Sequence, residues 1–303
     1  MTTDPHAIHV YDRHRQALVR EIVLGDLMLR LAYRSPLRRA GQWVLFRSAL
    51  LTRLFGRFCD SRISRWRIKP TIRKLNIDMN EFAEPAEAYR TFNEFFYRKI
   101  KPAARPFSSD PGVLVSPADA RLTVWPRLDG NTCVPIKGAR FTVAELLQVP
   151  REEAARFDGG VLMIFRLCPA DYHRYHFPAA GTLLKHWRIE GRLDSVNPIS
   201  LALGIKVFQE NTREISLLDL GPFGTAAFVE VGAFGVAGIE TTHQGGAFAK
   251  MEEKGYFKFG GSTVVLVLKA GRIEVDADLV ERSAQGTETL IRVGDSIAHL
   301  LRK

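Results

Sequence analysis

Three short stretches of this 303-residue chain carry groups that could do covalent or proton-transfer chemistry. The first is Gly260-Gly261-Ser262-Thr263, which runs into the apolar string Val264-Val265-Leu266-Val267-Leu268. A hydroxyl that follows a glycine meets a carbonyl with no Cβ beside it, and is open to attack that carbonyl. An N→O acyl shift there would turn the peptide bond into an ester. Elimination from the ester would leave a new N-terminus at residue 262. The same four residues also describe a glycine turn leading into a strand. The tetrapeptide alone does not choose between the two.

The second stretch is Asp171-Tyr172-His173-Arg174-Tyr175-His176-Phe177-Pro178, with two of the chain's eight histidines three residues apart. Histidine is the natural acid–base group near neutral pH. A metal pair at this spacing would need a helix, which Pro169 and Pro178 disfavour, and no third ligand is evident. The alternative is a polar turn with stacked tyrosines. The third stretch is Ser116-Pro117-Ala118-Asp119-Ala120-Arg121. Asp119 follows a short apolar run and could orient a histidine and stabilise its charged form. It could equally close an Asx turn or pair with Arg121. Cys168, beside Pro169, reads as a buried structural thiol, since no residue clearly lowers its pKa.

These groups need a scaffold, and the pattern changes near residue 105. Beyond it lie short β-branched runs between glycine and proline turns: Val113–Val115, Leu122–Trp125, Val161–Phe165, Phe228–Ile239 and Val264–Leu268. Such spacing predicts a β-rich sandwich or barrel-like core. One short helix is expected at 142–148, where Thr142 and Glu145 make a capping box. Before residue 105 the chain is helical in pattern and strongly basic. Trp43, Val44, Leu50, Leu51, Leu54, Phe55 and Phe58 share one helical arc, with Arg39, Arg53 and Arg57 at its edge. Arg47 interrupts the arc. Residues 76–106 read as a helical connector opened by Glu84-Pro85-Ala86-Glu87, in which Phe92, Phe95 and Phe96 have core-packing spacing. The expected class is therefore α+β, with a basic helical region over 1–105 and a β-rich catalytic domain over 106–303.

Composition narrows the partners. A net charge of +10 and a hydrophobic content of 46% describe a globular chain drawn to anions. Arginines beside an aromatic, apolar helical face suit an anionic membrane surface. Nucleic acid is disfavoured, because no helix-turn-helix, zinc finger or RNA-binding motif is present. Cys59, Cys133 and Cys168 form neither a metal pattern nor a disulfide framework, which favours a reducing compartment. No run approaches the roughly 18 apolar residues of a spanning helix, and no signal peptide precedes the chain. The expected location is peripheral, on the cytoplasmic face of the cell membrane.

Several strings, taken in order, resemble the phosphatidylserine decarboxylases, which are self-processing pyruvoyl enzymes. They are Phe92-Asn93-Glu94-Phe95-Phe96 with Arg98 and Arg105-Pro106; Ser116–Asp119; Asp171–Pro178 with Gly181; Ser195-Val196-Asn197; Asn211-Thr212-Arg213-Glu214; and Gly255–Thr263. Ala120 stands where the family often has glycine, and Gly-Gly-Ser-Thr replaces the commoner Leu-Gly-Ser-Thr. The resemblance implies a cut between Gly261 and Ser262, giving a β subunit 1–261 and an α subunit 262–303 that stay associated. It implies that Ser262 becomes a covalent pyruvoyl group, that His176 deprotonates Ser262 with Asp119 orienting it, and that His173 serves decarboxylation as an acid. Phosphatidylserine in an anionic membrane would then yield phosphatidylethanolamine through a Schiff base, with no metal or bound organic cofactor. The number of αβ units in any higher oligomer is left open.

Two rival readings stand beside it. One is a pyruvoyl enzyme for a soluble amino acid, which would not need the basic aromatic segment. The other is a non-enzymatic membrane-binding β-domain, suggested by the turns at Gly286–Thr289 and Arg292–Asp295. The absence of a Met-Lys hairpin counts against a carrier module.

Overall fold

A computed structural model describes residues 8–22, 49–129, 134–136, 139–192, 194, 206–232, 238–260 and 262–301. The N-terminal part supplies β1 (His9–Asp12), β2 (Ala17–Arg20), α1 (Ala49–Asp60), α2 (Ile68–Leu75) and α3 (Phe92–Phe96). Then come β3 (Val113–Val115), β4 (Ala120–Trp125), β5 (Val134–Ile136), β6 (Ala139–Phe141), α4 (Val143–Leu147) and α5 (Arg151–Ala154). The middle of the chain gives β7 (Val161–Leu167), β8 (Arg174–His176), β9 (Gly181–Ile189), α6 (Val207–Glu210), β10 (Arg213–Asp219) and β11 (Thr225–Gly232). The last part holds β12 (Ile239–Thr241), β13 (Ala247–Phe248), β14 (Glu253–Phe257), β15 (Ser262–Leu268), β16 (Ile273–Val275), α7 (Ala277–Ala284), β17 (Thr289–Ile291) and β18 (Ser296–Leu300).

Ten strands form one sheet in the order β13-β9-β10-β11-β15-β7-β4-β17-β1-β2. Two three-stranded sheets, β12-β14-β8 and β16-β18-β3, cover one face of it. Side chains alternate across a strand, and β15 shows both sides of the result. Val264, Leu266 and Leu268 join a core with Leu114, Tyr175, Phe257 and Ile297 from the small sheets and Phe177 just after β8. Val265 and Val267 face the other way, against Leu146, Leu147, Phe157, Val207 and Phe208 from the helical cover. Every residue of β7 and β15 is buried. A sheet covered on both faces explains why these strands read as unbroken apolar runs.

The β-rich α+β architecture is the expected one, in its layered rather than its barrel form. The large sheet stays open, with β13 and β2 at its edges. The capping box at Thr142 and Glu145 is present at the head of α4. Phe92, Phe95 and Phe96 are buried as expected. Glu84–Glu87 does not open a helix: the chain makes one turn, closed by Ala88 N–H donating to Pro85 O, and α3 starts afresh with Thr91 as its N-cap. Trp43, Val44, Arg39 and Arg47 lie outside the described residues, as do Ser195–Asn197, Cys133 and the side chains of Leu50, Leu51 and Arg53.

The helical reading of 1–105 misses a hairpin. β1 and β2 extend the catalytic sheet, with β1 parallel to β17. Just past β2 the Glu21 carboxylate enters the protein between Arg121 at 3.0 Å and Arg166 at 2.8 Å. Burial alone would raise its pKa, but Arg166 and Arg121 outweigh that and hold it at about 2. A depressed carboxylate contributes stability that is present above the unfolded value of 4.5 and lost as pH falls through about 2. Glu21→Gln should lower stability by about 3 kcal/mol, the lower end for breaking a buried ion pair. Glu288 and Asp171 still partner the two arginines, which keeps the loss at that end. Urea unfolding should show an earlier midpoint, and the acid limb between pH 4.5 and 2 should flatten.

Candidate active site

Ser262 is the first residue of β15. Its neighbours across the sheet are Leu167 on β7 and Gly232 on β11. By alternation with Val264 and Leu266, its side chain faces the layer that holds β8 and β14. Gly232 lies beside it on that face. A Cβ there would meet Thr212 O at 3.3 Å and Ile239 at 3.7 Å, so a side chain at 232 would press on these neighbours. Ser262 is 1% exposed, and among the described residues its Oγ has no hydrogen-bond partner. A buried hydroxyl without a partner is costly and rare. A nucleophile held away from water and unclaimed by any acceptor has this description.

His173 sits where the turn after β7 enters β8. Its backbone O accepts from Phe257 N–H at 2.9 Å, so it is tied to the strand that leads toward Ser262. Its ring packs on Phe96 at 3.8 Å. Nδ1 donates to Asp171 O at 3.0 Å, which fixes the tautomer and leaves Nε2 with a lone pair. That Nε2 is buried and has no partner among the described residues. Burial, and after it the charge of Arg98, pull the imidazole pKa down to about 3. The ring is therefore neutral at rest, and the acid role expected of it requires that it first take up a proton. Arg98 is itself buried; its guanidinium donates to Ala170 O at 2.8 Å and Asp171 O at 3.0 Å, holding the turn on which the histidine stands.

His176 and Asp119 belong to segments that touch through the backbone. His176 N–H donates to Pro117 O at 2.9 Å, and Val115 N–H to Pro178 O at 3.1 Å. Their side chains, however, have other partners. His176 Nδ1 donates to Met251 O at 2.9 Å, and Nε2 accepts from the Tyr172 hydroxyl at 3.1 Å. Asp119 receives Arg105 through two hydrogen bonds, at 3.0 and 2.6 Å, and Val293 N–H at 2.8 Å. The direct Asp119–His176 bond of a triad is thus replaced by a through-space effect. Burial lowers the His176 pKa, while the Met251 carbonyl, Glu253 and Asp119 work to raise it. The Asp119–Arg121 pair is also absent, because Arg121 is engaged with Glu21 and Asp171. A cavity of about 310 Å³ opens beside Asp119, Arg105, Glu81 and Tyr172.

Other family strings act as clamps. Asn211, fully buried, donates to Asp194 O at 2.8 Å and Gly232 O at 2.7 Å, fastening the strand end beside Ser262. Arg213 donates to Leu146 O and Glu145 O, the last turn of α4, and to Gln209 O and Asn211 O. Glu214 takes His186, Arg188 and Thr241. Cys168 is buried among Arg166 and Glu21, and burial pushes its thiol up, in keeping with a structural role. Reasoning from sequence did not single out Tyr172 or Gly232. The signal for Tyr172 was its place four residues before His176 on a chain that folds back.

Among the described residues no group of three or more His, Cys, Asp or Glu side chains is placed to hold a metal ion.

The arrangement is matched by known sequences. A sequence profile described as phosphatidylserine decarboxylase covers residues 92–299. A phosphatidylserine decarboxylase proenzyme of Ruminiclostridium cellulolyticum is 38% identical over 297 residues, 98% of this chain and 99% of the relative. Proenzymes of the same name from Clostridium perfringens and Chlamydia trachomatis are each 39% identical, covering 96% and 94% of this chain and 99% and 95% of their own lengths.

Proposed function

The chain belongs to the phosphatidylserine decarboxylase family, and we propose that it is a proenzyme that cuts itself before Ser262 and then converts phosphatidylserine to phosphatidylethanolamine. The observation that carries this is the buried, unclaimed Oγ of Ser262 at the head of β15, on the sheet face that holds β8 and its histidines. The residue fits a pyruvoyl group: among the described residues nothing claims its hydroxyl, and its neighbour Gly232 adds no side chain of its own.

Cutting is chemistry of the chain itself. Ser262 Oγ bonds to the Gly261 carbonyl carbon as the bond to the residue 262 nitrogen breaks. The Oγ proton passes to the departing amine by way of His176, whose imidazolium the Asp119 charge favours. The Tyr172 hydroxyl must release Nε2 for this. Loss of the residue 262 Cα proton then breaks its Cβ–O bond and frees the chain ending at Gly261 as a carboxylate. The enamine left behind tautomerises, and water replaces its nitrogen, releasing ammonia. The products are chains of 261 and 42 residues, summing to 303.

The resulting pyruvoyl group supplies the carbonyl that takes up electrons when carbon dioxide leaves. His173 then handles the proton. Among the described residues its Nε2 lone pair is unclaimed, and with the pKa held at about 3 the ring, once protonated, is a ready acid, suited to delivering a proton to the substrate carbon that loses carbon dioxide. The low exposure of Ser262 and His173 keeps water from this step.

The lipid reading has its own support. Leu54, Ile63 and Trp66 are at least half exposed, among the exposed Arg62, Arg65 and Lys69. Each basic group at an anionic surface contributes about 1 kcal/mol. No described helix is long and apolar enough to cross a membrane. The exposed basic and apolar groups support peripheral attachment, which we place at the cytoplasmic face as part of this proposal. Carbon dioxide release should be seen with phosphatidylserine vesicles and not with free serine, and vesicle binding should weaken as salt rises. Turnover of free serine alone would favour a soluble amino acid as substrate.

A further inference from the structure

The chain just before the cut is anchored one residue at a time. Phe257 N–H donates to His173 O at 2.9 Å, Lys258 N–H to Gly238 O at 2.8 Å, and Phe259 N–H to Asn93 Oδ1 at 2.8 Å. From Ser262 the ladder of β15 takes over. Only residues 260 and 261 lie between the last anchor and the ladder. Two of the anchors are main-chain oxygens of the β-rich layer. The third is a side chain on α3.

Asn93 is fully buried and uses both ends of its amide. While Oδ1 holds Phe259, Nδ2 donates to Asp60 Oδ1 at 2.8 Å at the end of α1. The Phe259 ring is enclosed by Phe92 and Phe96, each at 5.0 Å, and by Phe55 at 5.8 Å. All of these partners come from the helical region.

We infer that Asn93 is the positioning residue for self-cleavage: it makes the helical region hold the scissile segment over Ser262, so that an undocked region leaves the chain uncut. This rests on the cleavage reading above. A carboxamide fits because Phe259 needs an acceptor and Asp60 needs a donor from one buried side chain. An oriented nucleophile and carbonyl are worth large factors, and a small misplacement costs on the order of a hundredfold.

The test follows conversion of the newly made full-length chain to two polypeptides, by mass and time. Asn93→Ala should slow conversion about ten- to a hundredfold. Asn93→Asp should also be slow, because it sets two carboxylates against each other at Asp60. The exchanged pair Asp60→Asn with Asn93→Asp restores an acceptor for Phe259 and a donor–acceptor contact between the two side chains. It should recover the rate to within about threefold of wild type. Chains that do cut should decarboxylate phosphatidylserine as wild type does, which a general loss of folding would not allow. Wild-type cutting in Asn93→Ala, or no recovery in the exchanged pair, would overturn the inference. If Asn93→Ala does not fold, the exchanged pair decides. An uncut wild-type chain would remove the cleavage reading and this with it.

Discussion

Ser262→Ala should accumulate as one 303-residue chain with no decarboxylase activity. Alanine removes the one atom that attacks the Gly261 carbonyl, and nothing else on the side chain can replace it. The fold should survive, and it should even gain a little. Ser262 Oγ is buried with no partner among the described residues, so the hydroxyl costs stability where it stands, and its removal should relieve about 1 kcal/mol. Loss of both cutting and turnover with an unchanged or raised unfolding midpoint is therefore the expected pattern. That combination separates a chemical role from a structural one. A cut Ser262→Ala chain would place the nucleophile elsewhere.

His173→Ala should give the second largest effect and a different one: cutting proceeds, while turnover of phosphatidylserine falls about 10²- to 10⁴-fold. The reason lies in which nitrogen is free. His173 has a buried Nε2 with no partner among the described residues, its ring fixed by the Nδ1–Asp171 bond and packed at a tilt on Phe96. His176 has both nitrogens engaged, one of them by a hydroxyl that can turn away. Separate duties for the two rings predict separate phenotypes, with His176→Ala and Asp119→Ala slow to cut. If His173→Ala instead stays uncut, the free lone pair is the base for the serine, and the roles of the two histidines must be exchanged. The assay needs the cut fraction measured beside the rate, since uncut chains have no active group.

The candidate residues stood out in the sequence because each is a reactive type in one of several strings that occur in the order of a single family. The layered β architecture was legible for a related reason. A sheet buried on both faces leaves unbroken apolar runs, as in Val161–Phe165 and Val264–Leu268. What sequence reasoning lost is what depends on distant partners. Asp119 was read against its neighbour Arg121, yet the fold gives it Arg105 and sends Arg121 to Glu21, a hundred residues away. The four-residue strands of the N-terminal hairpin were hidden in a basic stretch, because their pairing with β17 is set by the far end of the chain. His173 was expected to act as an acid in decarboxylation. Its burial, which no local pattern reports, leaves the ring neutral at rest. Asn93 looked like one polar residue in an aromatic string, and only the positions of Asp60 and Phe259 give it a task.

The intact mass of the purified wild-type protein tests the central claim most directly. The account predicts two polypeptides that stay together, of 261 and 42 residues from the 34.1 kDa chain, with the smaller blocked to Edman degradation. A single uncut chain that decarboxylates phosphatidylserine would contradict it.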